Sequence, residues 1–303
     1  MEAGNINGSR HMSDVHMKFK KPVMDVIRER SSCRSYDGRA LDGQARAELE
    51  RCLSRLDKGP FGVHVRLHIV DRSGPSWRTR AVGTYGFVSG ARQFLAGAVE
   101  KADRNLEDFG YVFEEAVLCA TDLGLGTCWL GGTFNRSSFA RAINLGHNEM
   151  LPAISPAGYS RASMGALDSA MHRAVGSANR RPWGELFFHR DFATPISEDE
   201  AGEYSVPLEM VRLAPSSVNG QPWRVVKAEG ADLYHFYLKR TGMRKRTADI
   251  FVHFDLQRID MGIAMCHFEL AAREAGLSGE WKALKPEIGS LPGEMEYVVS
   301  WVG

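Results

Sequence analysis

Arginine and serine alternate near the start of the chain, where Arg30, Ser32 and Arg34 are spaced two residues apart. Alternate side chains of an extended segment point to the same side, so two guanidinium groups and one hydroxyl could converge on one ligand. Together these groups can bind a phosphate monoester through charge-assisted hydrogen bonds. A charged helix end followed by a serine turn would also explain the residues, and composition alone favours that explanation.

A second polar segment, from Ala214 to Arg224, has the sequence Ala-Pro-Ser-Ser-Val-Asn-Gly-Gln-Pro-Trp-Arg. Sequence patterns place it between a helix that ends near Leu213 and a strand that begins at Trp223. Small hydrogen-bonding residues between two prolines predict a rigid polar loop on which a planar ligand could lie. A simple turn from helix to strand would need fewer such constraints. The candidate binding residues in this loop are Pro215, Ser216, Ser217 and Asn219.

Two shorter segments could complete a site. Leu130, Gly131 and Gly132 follow an apolar stretch, and the missing glycine side chains would let backbone N–H groups approach a ring. Arg180 and Arg181 form a second cationic pair, for which an exposed linker is the alternative interpretation.

Several catalytic signatures are absent, so the sequence indicates no catalytic side chain and no metal site. It contains neither the Gly-x-x-x-x-Gly-Lys motif that wraps a triphosphate nor a His-Glu-x-x-His motif. The stretch from Gly158 to Ala162 lacks the final glycine of a nucleophile elbow. His64 and His68 alternate with apolar residues, which favours a solvated strand face over a metal pair.

Charge and hydropathy argue against two classes of partner. The 303 residues include 38 basic and 37 acidic side chains, for a formal net charge of +1. The strong basic field of a dedicated nucleic-acid-binding protein is therefore absent. The longest apolar runs are far shorter than the ~20 residues that a membrane-spanning helix needs. Arginine outnumbers lysine by 28 to 10, which leaves room for a local anion site. We expect a small-molecule partner, no nucleic acid and no membrane.

The five cysteines, at positions 33, 52, 119, 128 and 266, form no Cys-x-x-Cys pair. Their odd number and the lack of a secretory apolar segment predict reduced cysteines and a cytoplasmic location. Residues 1–17 have no hydrophobic periodicity and contain Gly-Ser-Arg-His-Met, a string typical of a cloning junction. We expect an expression tag or a disordered N-terminus there, with a natural start near Met12 or Met17.

Hydrophobic periodicity predicts the elements that would position these segments. A short helix is expected after Pro22, and a second helix is expected from the N-cap residue Asp42. The further expected elements are strands at 63–69, 83–88, 151–159 and 298–303, helices at 109–123, 136–145 and 259–275, and an extended connection at 160–182.

Three segments of the first half have weak echoes, in the same order, in the second half. Residues 33–37 are echoed by 189–193, Gly124 with Trp129 by Gly276 with Trp281, and 153–158 by 298–303. We therefore expect an α+β fold of two tandem copies that interlock as one compact unit. The expected boundaries are residues 18–160 for the first half, 161–182 for a connector and 183–303 for the second half.

These motifs carry a resemblance to a known family. The Arg30-x-Ser32-x-Arg34 spacing, the Pro215-Ser-Ser-x-Asn219-x-Gln221-Pro-Trp223 string and the helix that ends in Gly124-Leu-Gly-Thr-Cys-Trp129 resemble the nitroreductase family of FMN flavoproteins. The resemblance extends from about residue 20 to the C-terminus. It implies a nitroreductase-like fold, with a sheet flanked by helices, and an intertwined homodimer that binds FMN at its interface. One subunit then supplies the phosphate-binding arginines, and its partner supplies the Pro-Ser-Ser-x-Asn loop.

The order of the motifs departs from that of an ordinary family member, because more than one repeat separates the two motifs here. The first half has Lys58-Gly-Pro-Phe-Gly62 where the polar loop would fall. The second half keeps Arg190 but has Leu186 and Phe188 in place of Arg30 and Ser32. Each half retains what the other lacks, which resembles single-chain nitroreductases in which a fused pseudo-dimer keeps one composite site. The chain is thus expected to be a monomer with an internal pseudo-two-fold axis.

The resemblance also implies an activity: NADH or NADPH donates electrons, and a nitroaromatic, quinone or similar flat acceptor is reduced by ping-pong hydride transfer. The alternatives are a same-fold enzyme of different chemistry, flavin-consuming or reductively dehalogenating, and a non-catalytic flavin-binding module. Residues 72–110 and 236–256 are expected to cover the site. The resemblance implies that Arg30, Ser32 and Arg34, with Arg180 or Arg181, bind the FMN phosphate. It implies that the ribityl chain and ring contact Pro215, Ser216, Ser217 and Asn219. Backbone donors at the reactive edge of the ring are expected from Leu130, Gly131 and Gly132.

Overall fold

Two β-sheets, each packed beside one long helix, give the chain an α+β fold. The computed structural model describes residues 19–72, 87–161, 179–240, 254–286, 292–293 and 295–303. Residues 1–17, most of the strand expected at 83–88 and most of the connector at 161–182 lie outside the described residues.

The first half follows the predicted elements closely. The side chain of Asp42 accepts a hydrogen bond from Ala45 N at 2.8 Å, which caps the second helix where the sequence predicts its start. Strand β2 was not predicted, because nearly all its residues are buried and it therefore lacks the alternation of a half-buried strand. The elements are α1 (Val23–Glu29), α2 (Gly43–Leu53), β1 (Val65–Asp71), β2 (Gln93–Glu100), α3 (Asn105–Asp122), β3 (Gly126–Thr127), α4 (Arg136–Ala142), β4 (Glu149–Met150) and β5 (Ile154–Gly158).

The second half repeats this plan with a shorter set of helices. Its long helix ends near the predicted residue, and its strand after the polar loop begins at Trp223 as expected. The elements are β6 (Phe187–His189), α5 (Glu198–Ala201), α6 (Ser205–Leu213), β7 (Trp223–Lys227), β8 (Leu233–Lys239), α7 (Leu256–Glu274), β9 (Glu280–Lys282) and β10 (Met295–Val302).

The two sheets have the same strand order. Strands β1, β2, β5 and β3 are neighbours in the first sheet, and β7, β8, β10 and β9 are neighbours in the second. The third echo is thereby confirmed, because β5 and β10 occupy the same place. The second echo is also confirmed: Gly124 and Gly276, with φ of 75° and 78°, follow the long helices α3 and α7. The chain is therefore two tandem copies that form an internal pseudo-dimer.

The first echo is wrong. Ser32 pairs in parallel with Thr127 of β3, at one edge of the first sheet. The segment Phe187–His189 instead pairs with β7, which is the counterpart of β1 at the opposite edge. Leu186 and Phe188 are therefore not the structural counterparts of Arg30 and Ser32, and a five-residue likeness was too short to establish the register.

Helices α3 and α7 cross at the pseudo-two-fold axis through a reciprocal pair of glycines. A Cβ on Gly110 would overlap the carbonyl of Ile259, and a Cβ on Gly262 would overlap the carbonyl of Glu107. Each glycine thus meets the residue three positions before the other glycine. This reciprocity is the mark of a contact between two copies of one surface.

Helix α1 joins the first half to the second. The N–H groups of Val23 and Met24 donate to the Glu274 carboxylate at 2.5 and 3.0 Å, and Glu274 ends α7. A carboxylate is favourable at a helix N-terminus because it satisfies amides and complements the helix dipole. One buried hydrophobic cluster includes residues from both halves, so the halves share a core.

Two expectations need correction. Cys52 of α2 and Cys119 of α3 form a disulfide, so the expectation of five reduced cysteines is wrong, and the cytoplasmic location no longer follows from them. Part of the segments expected to cover the site is core instead: β2 and the start of α3 lie within 72–110, and the end of β8 lies within 236–256. Residues 73–86 and 241–253 of these segments lie outside the described residues. No helix in the described part of the chain is long and apolar enough to cross a membrane.

Candidate active site

The segment that carries Arg30, Ser32 and Arg34 is extended. Helix α1 ends at Glu29, and Arg30 leaves the helical region with φ −58° and ψ 122°. Cys33 N then donates to Thr127 O at 2.7 Å, and Ser89 N donates to Arg34 O at 2.8 Å. Backbone partners on both sides hold the segment straight, so the alternative of a serine turn after a helix end is excluded.

The guanidinium groups of this segment are close together and at least partly buried. The Arg30 side chain is only 7% exposed, and within the described ranges neither its Nε nor Nη1 of Arg34 has a hydrogen-bond partner. Burial raises the pKa of the neighbouring Cys128 thiol, while Arg34 and Arg30 oppose that rise. Burial, and then the charge of Arg30, lower the pKa of Arg180 to about 10. Arg30, Arg34 and Arg180 thus form a cationic cluster, which we call the arginine cluster. A bound anion would reduce the repulsion between these charges.

Arg180 connects this cluster to the polar loop of the second half. Its Nη1 donates to Asn219 Oδ1 at 3.0 Å, and its Nη2 donates to Leu213 O at 2.9 Å. The next residue, Arg181, donates its backbone N–H to Gln221 Oε1 at 2.8 Å and pairs with Glu185 at 3.0 Å. These contacts exclude an unanchored linker and bring the predicted cationic pair to the predicted loop.

The polar loop has an unusual backbone. Val218, Asn219 and Gln221 have φ of 46°, 57° and 47°, in the left-handed region that glycine and asparagine tolerate and β-branched residues avoid. Val218 is also 49% exposed, so burial of its side chain does not explain the strain. Ser217 N donates to Asp260 Oδ1 of α7 at 2.9 Å, which ties the loop to the central helix. A strained residue in a tightly anchored loop is typical of a functional segment.

The segment of Leu130, Gly131 and Gly132 agrees less well with its predicted role. Leu130 N donates to Ile154 O at 2.9 Å, so the expectation of a free backbone donor at Leu130 is wrong. A Cβ on Gly131 would lie 2.9 Å from Leu256 Cδ2, so close packing against α7 already requires glycine there. Gly132 is half-buried, and its role stays a prediction.

The segments from the two halves meet along one face of α7. Leu256 packs against Gly131, and Asp260 holds the amide of Ser217. Residues four apart on a helix lie on one face, with Cβ atoms about 6 Å apart. The glycine segment of the first half and the polar loop of the second half are therefore neighbours, as a composite site requires.

Sequence reasoning missed a buried network beneath the arginine cluster. Glu114 Oε2 accepts from Trp129 Nε1 at 2.7 Å, and its Oε1 lies 2.9 Å from His267 Nε2 and 4.0 Å from Arg30 Nε. His267 Nδ1 contacts Met210 O at 2.9 Å. The side chains of Glu114 and His267 are fully buried. A charged residue in an apolar helix pattern is usually on its solvated face, so only the packing of the two halves could reveal this network.

The fold and these motifs define a nitroreductase-type protein, and comparison with known proteins gives the family. A family model described as "Putative TM nitroreductase" matches residues 22–272. The chain therefore belongs to this nitroreductase family and is an oxidoreductase enzyme.

One solved structure shows the same fold over nearly the whole chain, and two further structures are similar to about half of it. A nitroreductase described as putative, from Thermotoga maritima, is 20% identical with a TM-score of 0.58, and 97% of this chain and 99% of that chain are covered. One from Desulfovibrio desulfuricans in complex with FMN is 23% identical with a TM-score of 0.40, over 55% of this chain and 95% of that one. One from Bacteroides thetaiotaomicron, described as a putative NADH dehydrogenase/NAD(P)H nitroreductase, is 18% identical with a TM-score of 0.39, over 47% and 89%. No curated protein matches the sequence.

Proposed function

We propose that the chain is an FMN-dependent NAD(P)H oxidoreductase that reduces nitroaromatic, quinone or similar flat acceptors by ping-pong hydride transfer. The observation that carries this proposal is the arginine cluster, which places three guanidinium groups beside a polar loop from the other half. Membership in the nitroreductase family supports the class of reaction.

The residues present fit FMN. The buried Arg30 Nε and Arg34 Nη1 have no acceptor in the part of the chain that the structure describes, and a phosphate supplies acceptor oxygens and negative charge together. The charge of Arg30 lowers the pKa of Arg180, so Arg180 rather than Arg181 of the connector would complete the phosphate site. Pro215, Ser216, Ser217 and Asn219 would hold the ribityl chain and ring.

The protein's own contribution is to bind and orient. When bound, FMN supplies the hydride chemistry between NAD(P)H and the acceptor. The arginine cluster would hold the phosphate end, while the loop of Ser217 and the segment of Gly131 flank the place left for the ring. The reaction therefore needs no side-chain nucleophile. We also propose a monomer, since the pseudo-two-fold interface is internal, and retain the cytoplasmic location as a proposal.

Flavin uptake is the first test. The purified protein should be yellow or should take up FMN, and NADH or NADPH should bleach the bound flavin under anaerobic conditions. Oxidation by a nitroaromatic or quinone should then restore the colour. A protein that remains colourless in excess FMN would contradict the proposal. Flavin binding without bleaching would favour a non-catalytic flavin-binding module or a different electron donor. Turnover that consumes flavin or releases halide would favour a same-fold enzyme of different chemistry.

Arg34→Ala provides the residue-level test. Loss of a charge-assisted phosphate contact should weaken FMN binding, whereas Arg190→Ala should leave it unchanged, because Arg190 is exposed and pairs with Glu229. Equal FMN affinity in Arg34→Ala and the wild type would refute the phosphate role of this arginine.

A further inference from the structure

Asp260 is a buried acid in α7, a helix whose other buried side chains are apolar except for that of His267. The residue is 3% exposed, and it lies one turn after Leu256 on the face of α7 that meets both Gly131 and the Ser217 loop. Burying a carboxylate is costly unless its oxygens are hydrogen-bonded or its charge is neutralised. The position therefore requires an explanation beyond helix packing.

Its counterpart in the first half, Asp108, accepts hydrogen bonds at both carboxylate oxygens. Asp108 and Asp260 are separated by 152 residues, as are the crossing glycines Gly110 and Gly262. Asp108 Oδ1 accepts from Phe61 N at 2.9 Å and its Oδ2 accepts from Val63 N at 2.8 Å. Both oxygens of Asp108 thus hold amides of the loop that precedes the first strand.

Asp260 holds only one such amide. Its Oδ1 accepts from Ser217 N at 2.9 Å, but the amide two residues later, Asn219 N, donates to Ser216 O at 3.0 Å instead. Within the described ranges, the Ser217 amide is the hydrogen-bond donor found at the Asp260 carboxyl. Burial raises the pKa of Asp260 to about 8; the Ser217 amide opposes this rise and the negative charge of Asp255 adds to it.

The charged groups near Asp260 have partners of their own. On α7, Asp255 pairs with Arg240 at 2.6 Å, and Arg258 donates to Glu107 of α3 at 2.6 Å. From the side of the polar loop, Arg180 donates to Asn219 and to the carbonyl of Leu213. Ser217 donates its amide to Asp260. A proton on Asp260 is therefore the simplest way to remove its buried charge.

We propose that Asp260 keeps a proton at neutral pH and donates it in a hydrogen bond to the ligand that lies between the Gly131 segment and the Ser217 loop. The inference rests on the proposed function, in which that ligand is the FMN ring system. The ring carries carbonyl oxygens and nitrogens that accept hydrogen bonds. A neutral carboxyl donates to such acceptors, whereas a carboxylate repels them. Asp260 is thus a positioning residue for the ring, distinct from the arginines that hold the phosphate.

The test compares Asp260→Asn with the wild type by flavin titration from pH 6.5 to 9.5. Riboflavin is the main probe, because it carries the ring without a phosphate that titrates near pH 6, and FMN is titrated in parallel. The wild type should bind both flavins more weakly above about pH 8, with the dissociation constant approaching a tenfold rise per pH unit. Asn keeps an acceptor for Ser217 N and an N–H donor, but it does not titrate. Asp260→Asn should therefore show no such rise.

Asp108→Asn is the matched control, because it alters the equivalent carboxyl in the other half. It should retain the wild-type pH profile of flavin binding. If Asp260→Asn and the wild type show the same pH profile, the inference is wrong while the proposed function stands. If the wild type binds neither flavin at any pH, the proposed function fails, and the hydrogen bond from Asp260 to the ring fails with it.

Discussion

The candidate site and its pseudo-two-fold counterpart have the same scaffold and different contents. In both, an aspartate of the central helix holds the amide of a loop residue: Asp260 holds Ser217, and Asp108 holds Phe61. Where Leu256 packs on Gly131 in the candidate site, the position 152 residues earlier is Arg104. Its guanidinium lies 5.5 Å from the centre of the Phe61 ring and donates to Val298 O at 3.1 Å.

The backbone repeat thus keeps its anchoring hydrogen bonds, while the side chains determine whether polar groups are left without partners. Phe61 and Arg104 occupy the counterpart region with their own side chains and satisfy each other by a cation–π contact. The candidate region instead has small polar residues and buried arginine atoms that find no acceptor among the described residues. One region is complete as it stands, and the other has donors that a bound anion would satisfy.

The largest effect is expected when the buried network of the candidate region is broken. Glu114→Ala would leave Trp129 Nε1 and the His267 ring without their partner at full burial. Loss of one member of such a buried charged network costs about 3–5 kcal/mol in the free energy of unfolding. Urea denaturation would measure the loss.

The counterpart region supplies the comparison for this variant. Trp281, 152 residues after Trp129, donates to Glu269 at 2.7 Å, and Glu269 is 19% exposed. Water can reach the partners that Glu269→Ala leaves, so we expect this variant to lose roughly 1–2 kcal/mol. Equal losses in the free energy of unfolding would show that the Glu114 network stabilises the fold no more than the Glu269 contacts do.

The second effect separates the two regions by ligand binding. Arg30→Ala should weaken FMN binding by about 1.5–3 kcal/mol, because a buried guanidinium contact to phosphate is lost. Riboflavin binding should change little, since riboflavin has no phosphate. Arg104→Ala, in the counterpart region, should alter neither affinity. Fluorescence titration with both flavins checks this pattern, and a parallel loss of FMN and riboflavin affinity in Arg30→Ala would indicate general damage to the site instead.

The sequence predicted the elements within each half better than the contacts between distant segments. Asp42 marks the start of α2 by its type, and the repeats at three and four predict α3, because capping and amphipathic periodicity are local signals. The Arg30, Ser32 and Arg34 spacing and the polar loop were also visible locally.

What escaped prediction depends on long-range packing. The roles of Glu114 and Asp260 arise only where α3 and α7 cross, and no local pattern shows which carboxyl is covered. The failed echo of residues 33–37 has the same cause: sheet partners, not sequence neighbours, determine which edge a short strand joins.

A third effect concerns pH and stability at Asp260. The folded chain holds this proton up to about pH 8, whereas an unfolded chain releases it near the ordinary aspartate value of about pH 4. Between these values the folded state binds more protons, so stability falls as pH rises, by at most ~1.4 kcal/mol per pH unit from this group. Asp260→Asn removes this contribution. The unfolding free energy of the variant relative to the wild type should therefore increase from pH 5 to pH 7, and a constant difference would contradict the buried proton.

The smallest effect compares two loop residues that both have a positive φ. The residue after Phe61 is Gly62, with φ of 80°, and the residue after Ser217 is Val218, with φ of 46°. The counterpart region thus has the residue that the left-handed conformation favours, and the candidate site has one that it disfavours. Val218→Gly should relieve the strain and raise the free energy of unfolding by up to about 1 kcal/mol, since glycine's greater freedom in the unfolded chain offsets part of the gain.

The same substitution also tests whether the Val218 side chain contacts a ligand. Val218 is 49% exposed within the loop proposed to hold the ring, and an apolar side chain there would contact a flat ligand. Val218→Gly should therefore bind riboflavin more weakly while the folded protein becomes more stable. Thermal unfolding and riboflavin titration on the same preparation would measure both. A variant that is more stable and binds riboflavin as well as the wild type would show that the strained valine serves no ligand.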